Sequence, residues 1–326
     1  MVPRLPKISQ QQRLVVPLTS NHDVASPLRY PGGKSVLSGF IAGLIARSGM
    51  DRPLYVEPYA GGAGVALRLL MDDLVSGIVI NDYDPDVFAF WDSAVNHSRE
   101  FLDRFDRVEP TMDEWRRQKR IIRDPADELD RGFAFFFLNR TNRSGVINGG
   151  VIGGLAQSGR YKVSARYNKA RLREKLAFLG EHSPRIEVTC RDGRQIARQY
   201  ASRTDAFTYL DPPYVVKGGS LYLNALTEQQ HRDLAATLAE SDGAWMLTYD
   251  DTELTRTLYA GNYGGVFPPP LRRRIAPRGD GTDGVLGHDG GIAATRHLER
   301  RRHPWRKLER TIPWKTRKSG TSPSTR

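Results

Sequence analysis

Along the first third of the chain, apolar and polar positions change in blocks that call for alternating helices and strands. Apolar residues recur at helical spacing over 37–45. Leu54-Tyr55-Val56 predicts a short buried strand that runs into Glu57-Pro58. Helical spacing returns over 65–73, and 77–80 predicts a second strand ending at Asn81-Asp82. Short apolar runs joined by amphipathic helices are the grammar of a parallel α/β sheet. Between about 92 and 184 the strand signals vanish. Helical stretches rich in Arg, Asp and Glu fill 100–108 and 112–123, and an aromatic run covers 132–138. A long loop of Asn, Arg, Gly and Ser follows over 139–167, and loops of that length are usually functional or disordered. The parallel grammar then resumes with strands near 187, 208 and 246. Thr227 and Gln230 form a capping box ahead of a helix reaching about Glu240.

The pattern therefore divides the chain into a loose arm (1–26), a discontinuous α/β body (27–91 and 185–265), an inserted helical block (92–184) and a tail (266–326). The tail is dominated by Arg, Gly and Pro and has the composition of a disordered segment. It also holds most of the charge. The 326 residues carry +12, and 266–326, with 15 Lys+Arg against 5 Asp+Glu, accounts for +10 of it. The body is nearly neutral, so its partners must be argued from particular residues. A mean hydropathy of −0.51 and the lack of any run of about 18–20 uncharged apolar residues point away from the membrane. The single cysteine, Cys190, excludes a disulfide framework and a Cys-cluster zinc site. It fits a reducing, cytoplasmic setting. No metal is expected.

Three segments could carry chemistry. Asp211-Pro212-Pro213-Tyr214 follows a predicted strand, at the sheet edge where open α/β folds bind ligands. The two prolines remove N–H donors and leave carbonyls, a carboxylate and an aromatic ring, which suits a substrate bearing an NH2 group. Equally, Asp, Pro and Tyr are ordinary turn residues. Glu57-Pro58-Tyr59-Ala60-Gly61-Gly62-Ala63-Gly64 joins a strand to a helix, where glycines let the backbone approach a ligand. Asp82, at the next strand end, is placed to hold ribose hydroxyls. That pair fits any nucleotide, or a tight structural turn. Tyr30-Pro31-Gly32-Gly33-Lys34 sets an aromatic and a cation before a helix, and alone reads equally as a solvated loop.

Taken in order, these segments resemble the Dam-like (D12 class) DNA adenine N6-methyltransferases. The family order is an aromatic-x-Gly-Gly-Lys segment, Glu-Pro-Phe-x-Gly-x-Gly, an acidic strand end, a target-recognition block, and Asp-Pro-Pro-Tyr. Here these read Tyr30 to Lys34, Glu57 to Ala63, Asp82, residues near 92–184, and Asp211 to Tyr214. The segment from Phe137 to Gly145 is family-like as well, and the resemblance covers about 27–262. It implies a doubly wound, mostly parallel methyltransferase sheet with an inserted helical target-recognition domain. Two departures stand out. Ala63 occupies a glycine position. The family's two closing antiparallel strands have no counterpart, and the tail's composition matches a shifted reading frame in GC-rich DNA.

The resemblance implies S-adenosylmethionine as cofactor and double-stranded DNA as partner, with methyl transfer to adenine N6 by base flipping and direct displacement. Asp211, Pro212, Pro213 and Tyr214 are the expected catalytic residues. Tyr30, Lys34, Gly61, Gly62, Asp82, Asp192 and Asp211 are expected at the cofactor, with Lys34 on its carboxylate and Asp192 on its adenine amine. Asp192 also reads as a plain turn residue. In the long loop Asn139, Arg140, Asn142, Arg143, Arg160, Lys162 and Arg166 are expected to contact DNA, each alternatively a solvated side chain. Phe133, Phe135, Phe136 and Phe137 read as helix core. The expected enzyme is a cytoplasmic monomer with, as the family allows, a cognate restriction endonuclease. Alternatives are a catalytically silent nucleic-acid-binding remnant, methylation of RNA adenine or cytosine N4, and an NAD-type oxidoreductase, which would leave Asp211 to Tyr214 unexplained.

Overall fold

The computed structural model describes residues 25–29, 34–214 and 226–260. Most of the N-terminal arm, Tyr30 and everything from 261 onward, the tail 266–326 included, lie outside the described residues, and with them the frame-shift expectation. Five strands form one parallel sheet: β1 (Leu54–Glu57), β2 (Gly77–Asn81), β3 (Ile186–Thr189), β4 (Ala206–Leu210) and β5 (Ala244–Leu247), in the order β3-β2-β1-β4-β5. All five lie where the apolar runs predict them. β1, β2 and β4 are almost wholly buried, which is why their sequences are continuous apolar runs.

Helices cover both faces. Helices α1 (Ser38–Ser48), α2 (Gly64–Met71) and α3 (Pro85–Asn96) share a core with Tyr55, Ile78, Ile80, Phe207 and Tyr209. On the other face Val56 and Val79 meet Ile196 and Tyr200 of α8 (Gly193–Tyr200). There too Leu210 meets Leu234 and Leu238 of α9 (Glu228–Ala239), which starts at the expected Thr227–Gln230 capping box. A short helix α10 (Glu253–Leu258) follows β5.

The insert consists of α4 (Ser98–Arg107), α5 (Met112–Ile121), α6 (Glu128–Thr141) and α7 (Lys169–Glu181). Its expected border at residue 91 falls inside α3, which runs from the Asp84 cap and Pro85 to Asn96. The reason is aromatic packing. Phe90 stacks on Phe136 at 5.6 Å and meets Phe101 edge-on at 5.8 Å, so α3 belongs to the sheet and the insert at once. Phe133, Phe135, Phe136 and Phe137 are buried in this core, as helical spacing predicts. Among the described residues no helix is long and apolar enough to cross a membrane, and no group of three or more His, Cys, Asp or Glu could hold a metal ion.

Candidate active site

The chain order of the strands reverses between β1 and β4. On one side of that point lies the glycine loop after β1, on the other the turn after β4. A parallel sheet opens a crevice there, at its carboxyl edge. Asn81, fully buried, ties the edge together. Its amide donates to the Pro58 and Arg191 carbonyls at 2.8 and 2.9 Å, and its oxygen accepts from Thr189 and Arg191. The indole of Trp91 on α3 donates to the Gly61 carbonyl at 2.9 Å, so the insert side of the molecule also braces the loop. Gly61 and Ala63 both take positive φ, 47° and 45°. Ala63 thus adopts the left-handed conformation expected of a glycine, and the turn keeps its shape despite the substitution. It leads into α2, whose N-cap Ala63 has no side chain to cap it; the buried Glu57 takes the first-turn N–H of Ala66 instead.

Three carboxylates sit near this edge. Asp82 accepts the Gly61 N–H at 2.8 Å and the Asp84 N–H at 3.0 Å, and burial pushes its pKa up to about 6. Next to it Tyr83 is 56% exposed, an aromatic face outside every motif. Glu57 accepts the Ala66 N–H at 3.1 Å. It has no cation beside it, and burial raises its pKa to about 8, so it is largely protonated at neutral pH. Asp192 caps α8 through the Arg194 N–H and pairs with the Arg194 side chain at 2.6 Å. That hydrogen bond holds its pKa below the usual carboxylate value. Any contact to a cofactor amine would therefore share a carboxylate already engaged with Arg194.

On the other side of the crevice, Asp211 Oδ2 accepts from Lys34 Nζ at 2.5 Å, and Asp211 Oδ1 from the Thr248 hydroxyl at 2.6 Å. Lys34 also donates to the Tyr214 hydroxyl at 2.7 Å and lies 5.1 Å from the centre of that ring. Burial works against the Lys34 charge, but Asp211 and Tyr214 outweigh it and its pKa lies above the ordinary value. The structure thus brings together Lys34, Asp211 and Tyr214, which are far apart in the sequence. It adds Thr248, which no motif marks.

A family model described as D12 class N6 adenine-specific DNA methyltransferase matches residues 30–266, most of the chain. The chain belongs to that family. Among curated proteins it is similar to the Type II methyltransferase M.MjaIII of Methanocaldococcus jannaschii, with 24% identity over 57% of this chain and 68% of that protein. Family membership makes the chain an adenine-specific DNA methyltransferase and sets aside the oxidoreductase, RNA and cytosine readings.

In this methyltransferase the long loop after α6 divides the expected DNA contacts into two groups. The side chains of Asn139, Arg140 and Asn142 are engaged within the protein. α6 carries Asn139 inward and ends at Thr141, and Asn142, its C-cap, is buried as well; a buried amide must be satisfied. Asn139 accepts the Arg29 N–H at 2.7 Å and donates to the Arg29 and Gly145 carbonyls, both at 3.0 Å. Asn142 accepts from the Trp115 indole and donates to the Val146 and Ile147 carbonyls. Arg140 donates to the Arg166 and Pro27 carbonyls, and burial with Arg29 nearby pushes its pKa down to about 10. Arg143, Arg160, Lys162 and Arg166 are instead exposed and make no ion pair among the described residues. The guanidinium groups of Arg160 and Arg166 lie 5.5 and 6.0 Å from the ring of Tyr161, which is 56% exposed. From 131 to 173 the chain has nine Lys and Arg and no Asp or Glu.

Proposed function

We propose that this enzyme transfers a methyl group from S-adenosylmethionine to the N6 amine of adenine in a short double-stranded DNA sequence, drawing the base out of the helix to reach it. The observation that carries the reading is the placing of Asp211, Lys34 and Tyr214 beside the glycine loop, across the reversal between β1 and β4. The residues at that edge fit the cofactor. Asp82 offers a fixed carboxylate for vicinal hydroxyls, Tyr83 a ring face, and Gly61 and Gly62 a close backbone approach. Lys34 uses one proton on Asp211 and one on Tyr214, which leaves a third, with Tyr30, for the carboxylate end. Asp192 keeps its second, shared role toward the adenine amine. Bound there, the cofactor supplies an electrophilic methyl group.

The exocyclic amine of adenine is a weak nucleophile because its lone pair is delocalised into the ring. Asp211 accepts one of its N–H groups and the Pro212 carbonyl the other, which localises the lone pair toward the methyl group. Each Asp211 oxygen has one donor and keeps room for another. Pro212 and Pro213 offer no N–H to compete for the acceptors. Tyr214 provides the stacking face for the extruded base, a contact worth about 1–3 kcal/mol. Arg143, Arg160, Lys162 and Arg166 engage DNA, with Tyr161 held between two of them. Asn139, Arg140 and Asn142 maintain the loop that presents these cations.

The test is expression in a bacterium lacking adenine methylation, followed by direct reading of modified bases in its genome. The reading expects N6-methyladenine at one recurring short motif. Unmodified DNA from cells holding soluble protein, or N4-methylcytosine in its place, overturns it. An active enzyme of this kind acts as a cytoplasmic monomer, and its gene neighbourhood is the place to look for a cognate endonuclease.

A further inference from the structure

The carboxyl end of β5 contributes a side chain to the Asp211 turn that no motif announces. β4 and β5 pair in parallel with Leu210 opposite Leu247, so the next residues, Asp211 and Thr248, fall side by side. The Thr248 N–H continues the ladder to the Leu210 carbonyl at 2.9 Å, and its hydroxyl turns to Asp211 Oδ1 at 2.6 Å. Behind Thr248 lies the hydroxyl of Tyr209, 3.0 Å from Thr248 Oγ1. A carboxylate only accepts, and threonine has one hydroxyl proton. That proton goes to Asp211, so Tyr209 must donate to Thr248. The chain of donors therefore has one direction, from Tyr209 through Thr248 to Asp211.

Both hydroxyls are buried, where valine and phenylalanine would pack as well without the cost of desolvating an oxygen. Thr208, one residue before Tyr209, shows the contrast: it is equally buried and its hydroxyl has no partner. Burial and the nearby Asp211 carboxylate raise the Tyr209 pKa, which keeps its proton available for donation.

We propose that Thr248, backed by Tyr209, is a positioning residue for the reaction: it fixes the rotation of the Asp211 carboxylate so that a free lone pair faces the incoming amine. Lys34 restrains the other oxygen but sits on a flexible stem, whereas Thr248 is anchored in the sheet. The kinetic part rests on the methyltransferase reading, and the structural part does not.

The experiment has two arms. In the first, high-resolution crystal structures of the wild type and T248V are compared. The Asp211 side chain is expected to rotate by more than about 30° in the variant, and an unchanged carboxylate overturns the proposal whether or not the enzyme methylates DNA. In the second, single-turnover transfer from labelled S-adenosylmethionine is measured at saturating DNA. T248V is expected to lose about ten- to a hundredfold in rate, with KM for DNA and cofactor within about twofold. T248S is expected to recover nearly the full rate, and Y209F to lose less than T248V. A T248V rate equal to wild type, equal losses in T248V and T248S, or a rise in KM alone would each overturn it. Wild-type protein inactive on DNA would count against the methyltransferase reading and leave the crystallographic arm to decide the positioning role.

Discussion

The carboxyl edge of the sheet and the long loop after α6 use charge in opposite ways. At the edge, Asp211 has Lys34 and Thr248, Asp82 has two N–H donors, and Asp192 has Arg194. On the loop, Arg143, Arg160, Lys162 and Arg166 face solvent with no carboxylate among the described residues. Elsewhere in the insert Arg104, Arg131 and Arg173 are paired with Asp130, Asp86 and Asp106. Those three arginines hold the insert's helices, while the four loop cations hold no carboxylate among the described residues. Pre-paired groups lose little on reorganisation and suit bond-making chemistry. Unpaired cations repel one another and suit a polyanion that is not yet there.

The sharpest way to break this contrast is to remove the carboxylate at its centre. D211A is expected to lose at least about 10²–10³ in turnover, with DNA affinity nearly unchanged by filter binding or anisotropy. Appreciable turnover in the variant would remove the proposed role.

Glu57, like Asp82, is a buried acid at the edge without a cation, and it sharpens the comparison through pH. Its pKa is about 8 in the folded protein against an ordinary 4.5, so the folded state holds a proton that the unfolded state has released. The resulting stabilisation is complete below about pH 4.5 and is lost as pH rises to about 8. E57Q removes that slope, on the order of 5 kcal/mol between pH 4.5 and 8. Denaturant midpoints at pH 5, 7 and 9 check it, and parallel profiles for variant and wild type would contradict it.

The loop's own frame comes next. N139A leaves the Arg29 and Gly145 carbonyls and the Arg29 N–H without their buried partner. A loss of about 2 kcal/mol is expected in thermal or chemical denaturation. An asparagine that faced DNA instead would cost affinity and leave stability intact.

The smallest effects belong to the unpaired cations. R160A and R166A are each expected to weaken DNA binding modestly and to reduce the slope of log K against log salt by about 1, without a change in melting temperature.

Much of this was legible in the sequence. Short apolar runs ending at Glu57, Asn81 and Leu210 announced the parallel strands, and the turns after them announced the site. Thr248 could not be read in the same way, because its role depends on the β4–β5 register, which one strand alone does not determine. Lys34 was expected at a cofactor carboxylate and meets Asp211, 177 positions away. Asn139 and Asn142 looked like loop residues because Asn, Gly and Arg surround them. Their burial follows from α6 packing under Trp115 and the Arg29 segment, which are tertiary contacts. The helix α3 had a local signal in the Asp84 cap followed by Pro85, and that signal argued against a domain border at residue 91.

The most direct test sets the two regions against each other in one assay. Single-turnover methylation and DNA affinity are measured for D211A and for the double variant R160A/R166A. The account predicts that D211A loses its rate at saturating DNA while binding DNA as the wild type does. It predicts that R160A/R166A binds more weakly, with less salt dependence, yet reaches nearly the wild-type rate once saturated. If D211A loses affinity as severely as the arginine variant, or if R160A/R166A stays slow at saturating DNA, the division between a preorganised edge and a DNA-seeking loop is wrong.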